Sequence, residues 1–263
     1  MARVLAISSH VARGHVGLAV TVPALQTLGH EVWAVPTIIL ASRPGLGRFA
    51  KHDLPPFELE AMLAALEADG CWQTLDAVFT GYFPSAASVA VAAQAIARIK
   101  AANHKTLVVV DPILGDAGKL YVATETAEAI RDLLVPLASI ATPNLFELQW
   151  LSGDSSAHHD QVRDAARGLG PPTVVVTSAL QTRESIATLL VTADACIERP
   201  MRARSGIPNG AGDLFAGLLL GHLLNGRDTE AALDSSLQNL DRVLAASEGH
   251  PLLQLGPLMT STR

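Results

Sequence analysis

The chain has 263 residues, 49% apolar and 17% charged, with a formal net charge of −6. That composition excludes a disordered chain. The absence of a lysine and arginine block argues against nucleic acid, whose phosphates need clustered cations, and no apolar run is long enough to cross a bilayer. The length allows one α/β domain or two smaller units, and no linker favours two, so residues 1 to 263 are read as a single domain. The N-terminal stretch reads as a buried strand and not a secretory signal, which makes the cytoplasm the expected compartment. Cys71 and Cys196 lie far apart and read as buried free thiols. Of nine scattered histidines only His158 and His159 are adjacent, a spacing that suggests no zinc site.

In chain order, β-rich runs are predicted at 3 to 8, 31 to 40, 76 to 82, 106 to 111, 140 to 144, 173 to 178 and 185 to 194. Between them, 55 to 70, 85 to 103 and 158 to 170 show apolar spacing near 3.6 and close on Gly or Asn, as helices do. A further helix is expected over 213 to 224. Strands buried on both faces and joined by helical crossovers form a mostly parallel sheet. The expected fold is therefore α/β, with three layers. In such sheets the ligand site gathers at the carboxyl ends of the strands. The polar segments to weigh are "SSHVARGHVG", "ASRPGLG", "DPILGD" and "TPNLFE".

The stretch "PNGAGDLFAGLLLGHLL", 208 to 224, sets a glycine turn against an apolar helix with Asp213 at the junction. A helix N-terminus presents unpaired N–H groups and a positive dipole end. Gly210 and Gly212 let a phosphate approach the backbone, and Ala211 adds little bulk. Asp213 could take a proton from a hydroxyl while those amides stabilise charge on a transferring phosphoryl group. The alternative is an acid that only serves the helix dipole above glycines that only make a turn. From this motif alone the two stand level. It is not the phosphate loop that ends in Gly-Lys-Ser/Thr, nor the dinucleotide fingerprint.

"GAGDLFAGLLL" resembles the signature of the ribokinase superfamily. "SSHVARGHVG", "LGHEVWAVPT", "VVDPILGDAGKLYV", "LASIATPNLFELQWLSG" and "TVVVTSAL" resemble, in order, successive blocks of the pyridoxal kinase family, over residues 4 to about 245. The resemblance implies a ribokinase-like fold and transfer of the ATP γ-phosphoryl group to the 5'-hydroxymethyl oxygen of pyridoxal. Its implied cofactors are Mg2+, with ATP as co-substrate, and a monovalent cation, K+ or Na+. By the same resemblance Asp213 is the base, and Gly210, Ala211 and Gly212 form the anion hole. Ser9 and Tyr121 contact the vitamin, the latter from a lid-like segment. Asp111, Thr142, Asn144, Glu147, Thr177 and Ser178 serve the nucleotide, while Asp111, Asp116 and Glu147 serve the metal. A homodimer is implied as well.

The chain departs from that pattern at "ASRPGLG", where relatives carry a polar substrate segment. Arg43 and Pro44 occupy the contact positions, and proline offers no side-chain donor. Leu18 stands where many relatives have Asn, and Ala211 where Thr or Val is usual. Two other readings stay open: a kinase of hydroxymethylpyrimidine type, and a noncatalytic vitamin binder.

Overall fold

Val4 and Ala6 face one apolar cluster and Leu5 and Ile7 the other, so β1 (Arg3–Arg13) is buried on both sides as an interior parallel strand must be. The computed structural model describes residues 1 to 43, 45 to 48, 50 to 155 and 158 to 259. After β1 come α1 (Leu18–Thr27), β2 (Glu31–Ser42), β3 (Lys51–Asp53), α2 (Pro56–Ala68), β4 (Ala77–Thr80), α3 (Ala86–Ala102) and β5 (Leu107–Val110). A hairpin of β6 (Gly115–Asp116) and β7 (Lys119–Leu120) leads to α4 (Thr124–Ala129), β8 (Ile140–Ala141), α5 (Leu145–Ser152) and α6 (His159–Gly168). The last elements are β9 (Thr173–Gln181), β10 (Ser185–Thr192), β11 (Cys196–Arg202), α7 (Ala211–Leu224), α8 (Thr229–Ser247) and α9 (Gly256–Met259).

Among the described residues nine strands form one sheet in the order β11-β10-β9-β8-β5-β4-β1-β2-β3. The strands from β9 to β2 in that order are parallel, and β3, β10 and β11 add antiparallel edges. Helices α1, α7 and α8 cover one face. Helices α2, α3 and α4 cover the other, and α6 closes the end over β9 and β10. This is the expected three-layer α/β/α, ribokinase-like arrangement. Helix α7 is apolar all round because it is the inner helix of its layer, wedged between α1 and α8. Truncating Leu219, fully buried there, to alanine would cost ~2–5 kcal/mol.

Several boundaries differ from the periodicity, for physical reasons. The predicted loop after residue 8 is strand as far as Arg13, because β1 keeps pairing with β2 after a register slip between Ser8 and His10. Together with β3 this extension forms a flap beyond the sheet edge. Pro36 is tolerated inside β2 because β3 pairs only with Ile38 to Leu40, so its missing N–H faces no partner strand. The run at 140 to 144 is strand only over Ile140–Ala141, since Asn144 turns the chain into α5. The "GDAGK" segment, part of the lid-like stretch before Tyr121, forms the β6-β7 hairpin, with Ala117 and Gly118 both at positive φ in its turn. Both cysteines are free but only half-buried, not buried. Among the described residues no helix is long and apolar enough to cross a membrane.

Candidate active site

The carboxyl edge of the parallel sheet continues its own hydrogen-bond ladder into the loops. Gly81 N–H donates to Ile7 O at 2.9 Å, Asp111 N–H to Thr80 O at 2.9 Å, Thr142 N–H to Val110 O at 3.0 Å and Thr177 N–H to Pro143 O at 2.9 Å. Residues distant in sequence are thereby set in one row. Strand alternation then decides the side each faces. Val109 packs under α1, α7 and α8 while Val108 and Val110 face α3, so Asp111, two residues beyond Val109, faces α7. Ile140 shares Val109's cluster, which brings Thr142 to the same side. There the Thr142 hydroxyl donates to Asp111 Oδ1 at 3.0 Å.

Helix α7 aims its N-terminus at this pair. Its cap, Gly210, lies at φ 109 with no side-chain hydrogen bond across the first turn, so the leading amides stay open to a ligand. A Cβ on Gly210 would overlap the His15 carbonyl oxygen, which packs against the turn. Asp213 lies in the first helical turn, its carboxylate near the Gly17 N–H at the start of α1, and Oδ1 is covered and without a partner. Burial pushes Asp213 up to about 6, against the opposing pull of the Gly17 N–H and of its own backbone N–H. Burial, reinforced by the Asp213 charge, pushes Asp111 up to about 8, with the Thr142 hydroxyl pulling the other way. Buried Asp111 and half-buried Asp213 thus face one another at the positive end of α7.

Asn144 and Glu147 form a reciprocal capping box on α5: Glu147 N–H donates to Asn144 Oδ1 at 2.9 Å and Asn144 N–H to Glu147 Oε2 at 2.8 Å. The second Glu147 oxygen accepts from Leu114 N–H at 3.0 Å and Gly115 N–H at 3.4 Å, while Asn144 Nδ2 donates to Gly115 O at 2.9 Å. Glu147 is 5% exposed. Burial and the Asp111 charge raise it well above the usual carboxylate range, opposed by its backbone donors. The pair therefore fastens the Asp111 loop and the hairpin to α5. Asp116 lies on that hairpin, exposed, accepting from Ala117 N–H at 2.7 Å. Tyr121, 56% exposed, follows it, its phenol raised by burial and by the nearby Asp116 and Glu147 charges.

Thr177 bridges to Asn144 at the edge of the row, and Ser178 takes φ 50 where β9 bulges away from β10. A serine held there is strained, a condition concentrated at functional sites. On the opposite side, Ser9 is buried under the start of α1, and a Cβ on Gly17 would overlap its main-chain and side-chain oxygens. Arg43 stands just beyond β2 at the flap tip, and Pro44 lies outside the described residues. Leu18 is buried in the α1-α7 core.

Tyr82, not singled out from the sequence, belongs to the same region. The extra residue that β2 carries at its slip places Thr37 so that its hydroxyl donates to Tyr82 O at 2.8 Å, and Tyr82 N–H donates to Ser8 Oγ at 3.0 Å. Its ring joins a small apolar cluster with Val11, Val16, Ala19, Ile38 and Leu40 beneath the flap. In the structure "GY" directly follows the parallel strand β4, as the other site segments follow theirs.

Among the described residues no three His, Cys, Asp or Glu side chains converge as a metal-ligand set. Mg2+ needs no such cage, since one or two carboxylates with phosphate oxygens and water commonly hold it. Asp111 and Asp213 fit that role as neighbouring hard oxygen donors, with Asp213 Oδ1 lacking a hydrogen-bond partner. Asp116, exposed at the hairpin turn, stands apart from them.

The family model described as phosphomethylpyrimidine kinase matches residues 16–255. A pyridoxine/pyridoxal/pyridoxamine kinase of Bordetella avium is 40% identical over 252 residues, covering 93% of this chain and 85% of that protein. Pyridoxal kinase PdxY of Corynebacterium diphtheriae is 34% identical over 88% of this chain and 84% of its own. Among solved structures, pyridoxal kinase from Entamoeba histolytica superposes with a TM-score of 0.93 at 26% identity, covering 100% of this chain and 97% of that one. Pyridoxal kinase from Leishmania donovani in complex with ADP and pyridoxamine gives 0.87 at 28% identity, covering 94% and 87%.

Proposed function

The chain belongs to the phosphomethylpyrimidine kinase family, among its pyridoxine/pyridoxal/pyridoxamine kinases, and from that premise we propose that it phosphorylates the 5'-hydroxymethyl group of pyridoxal with ATP. The observation that carries this reading is Asp213 in the first turn of α7, its carboxylate beside open helix amides and close to Asp111. Asp213 accepts the hydroxyl proton; the freed oxygen pair bonds to the γ-phosphorus as the bond to the ADP oxygen breaks. A base near 6 is mostly ionised at neutral pH and still close enough to take a proton. The amides of Gly210, Ala211 and Gly212 stabilise charge on the transferring group. Ser9, Tyr82 and Arg43 line the vitamin side, with Tyr121 on the hairpin at its mouth. Thr142, Asn144, Thr177 and Ser178 serve the nucleotide side, with Glu147 holding their loops in place.

Asp111, with Asp213 adjacent, would hold Mg2+, which when bound supplies charge neutralisation at the phosphates. Glu147 contributes to cation binding through water, Asp116 helps bind the divalent ion or its monovalent companion, and that companion is K+ or Na+. We read the whole chain as one kinase domain, acting as a homodimer in the cytoplasm.

ADP release with Mg2+ and ATP, measured across pyridoxal, pyridoxine, pyridoxamine and hydroxymethylpyrimidine with product masses, tests the reading. Turnover on pyridoxal supports it. A second reading, phosphorylation of a hydroxymethylpyrimidine, is favoured by the description of the matching family model, and turnover on that compound alone would select it. Vitamin binding without any turnover would leave the noncatalytic binder.

A further inference from the structure

Arg204 lies in the connection from β11 to the α7 turn, and its side chain is only 10% exposed. Two acids grip it from opposite sides. Nη2 and Nε donate to Asp241 Oδ1 at 2.7 and 3.3 Å, and Nη1 donates to Glu248 Oε1 at 2.7 Å. Asp241 is on α8 and Glu248 is its C-terminal cap. Past that cap the chain doubles back to the catalytic turn: Leu253 Cδ1 would lie 3.1 Å from a Cβ on Gly210, and Leu252 Cδ2 3.5 Å from one on Gly14. One end of α8 thus holds both the approach to the α7 turn and the turn itself.

On its outer side the same connection walls a cleft. Ala203, Arg204 and Ser205 face Gln181, Thr182 and Arg183 of the β9-β10 hairpin across an open groove of about 700 Å³. With the vitamin on the flap side and the phosphates at α7, the rest of the nucleotide extends toward β9 and β11, where this cleft opens. We propose that Arg204 is a positioning residue for the nucleotide, pinning the 203 to 210 connection so that the cleft wall and the α7 amides are formed before ATP arrives. The inference rests on the kinase reading above. Arginine suits the task because its planar fork reaches two carboxylates in a fixed geometry, which a lysine point charge cannot reproduce.

The chain supplies its own control. Arg199, on β11, bridges Glu230 and Asp234 at the other end of α8, away from the turn. The test compares Arg204→Met with Arg199→Met by melting temperature, KM for ATP, KM for pyridoxal, kcat, and MgADP affinity by calorimetry. Arg204→Met is expected to weaken MgADP and raise KM for ATP roughly tenfold, with KM for pyridoxal within about twofold, while Arg199→Met leaves all four binding and kinetic values unchanged. Arg204→Lys should fall between wild type and Arg204→Met. Equal effects of Arg199→Met and Arg204→Met, or a change in melting temperature alone, would overturn the proposal. If Arg204→Met does not fold, Asp241→Asn and Glu248→Gln each release one arm and must raise KM for ATP. A wild-type protein that turns over none of the vitamers yet binds MgADP defeats the substrate reading only, and the affinity comparison still decides the role of Arg204. A wild type that binds no MgADP overturns both.

Discussion

The Thr142 hydroxyl donates to Asp111 Oδ1 at 3.0 Å, and both side chains are buried on the α7 side of the sheet. That bond is what favours the ionised form of Asp111 against its burial. Thr142→Val keeps the shape and removes the donor, so Asp111 should hold its proton more tightly. A lost hydrogen bond to a charged group is worth ~1.5–3 kcal/mol. We expect kcat/KM to fall roughly tenfold at neutral pH, with a higher Mg2+ requirement and recovery of part of the loss at alkaline pH. A Mg2+ titration at several pH values checks this, and an unchanged requirement would detach Thr142 from the site chemistry.

The same burial makes a stability prediction for the ligand-free protein. Asp111 is raised from 3.8 to about 8, so between those values the folded state keeps a proton that the unfolded state has released. Stability from this group is present in full below about pH 4 and is lost as pH rises through about 8. Asp213, raised from 3.8 to about 6, acts in the same direction over a narrower window. In chelator and without nucleotide, the melting temperature contribution of Asp111 should therefore decline from pH 5 to pH 8. Asp111→Asn should raise the melting temperature at pH 8, by on the order of 2 kcal/mol or roughly 4–8 °C. Melting curves of the two proteins that run parallel over this pH range would contradict it.

Gly210 and Gly212 separate a folding requirement from a ligand requirement. Gly210 has φ 109 and its absent Cβ makes room for the His15 carbonyl, whereas a Cβ on Gly212 meets nothing within 4 Å. Gly210→Ala should thus cost ~2–4 kcal/mol and activity together. Gly212→Ala should melt at or slightly above the wild-type temperature, since alanine is favoured over glycine in a helix by about 1 kcal/mol. It should nevertheless lose activity, because the new methyl group stands where a phosphate would approach the amides. Melting and ADP release on both variants decide it; full activity in Gly212→Ala would place the phosphate elsewhere.

The layers of the fold were legible because their periodicities are strong: β5 is "LVVV", and α3 and α7 are long apolar runs. What the sequence hid were features set by partners remote in the chain. The flap exists because β1 and β2 support each other past the sheet edge, and nothing in "SSHVAR" alone requires a strand. The hairpin turn puts alanine at positive φ, against local preference, because Gly115 must pass close to the Lys119 carbonyl and Phe146. Within the site, Asp111, Thr142 and Asp213 fell at legible positions after strands and at a helix start. Glu147 was visible as an acid but not as a clamp, since its two loop partners, Leu114 and Gly115, carry no side-chain signal. Tyr82 falls inside the run predicted as strand to residue 82, whereas β4 ends at Thr80, so its place after the strand shows only in the structure.

Asp213→Asn tests the proposed base directly. Asparagine preserves size and keeps an acceptor for the Gly17 N–H, so the turn, the flap cluster and vitamin binding should survive. It has no carboxylate to take the hydroxyl proton, and loss of a positioned base typically costs ~10²–10⁴ in rate. The expected result is that kcat falls by that order while the pyridoxal dissociation constant changes less than about threefold. The pH profile distinguishes this from mere disturbance of the turn. With Asp213 near 6, wild-type kcat/KM should fall with unit slope as the pH drops below that value, because the protonated acid cannot accept a proton. In Asp213→Asn the residual rate should lose that limb. A variant that is slow but retains the acidic limb would place the titrating base on another group, with Asp111 the next to substitute. A variant with wild-type turnover would show that the α7 amides suffice and that Asp213 serves the helix dipole alone.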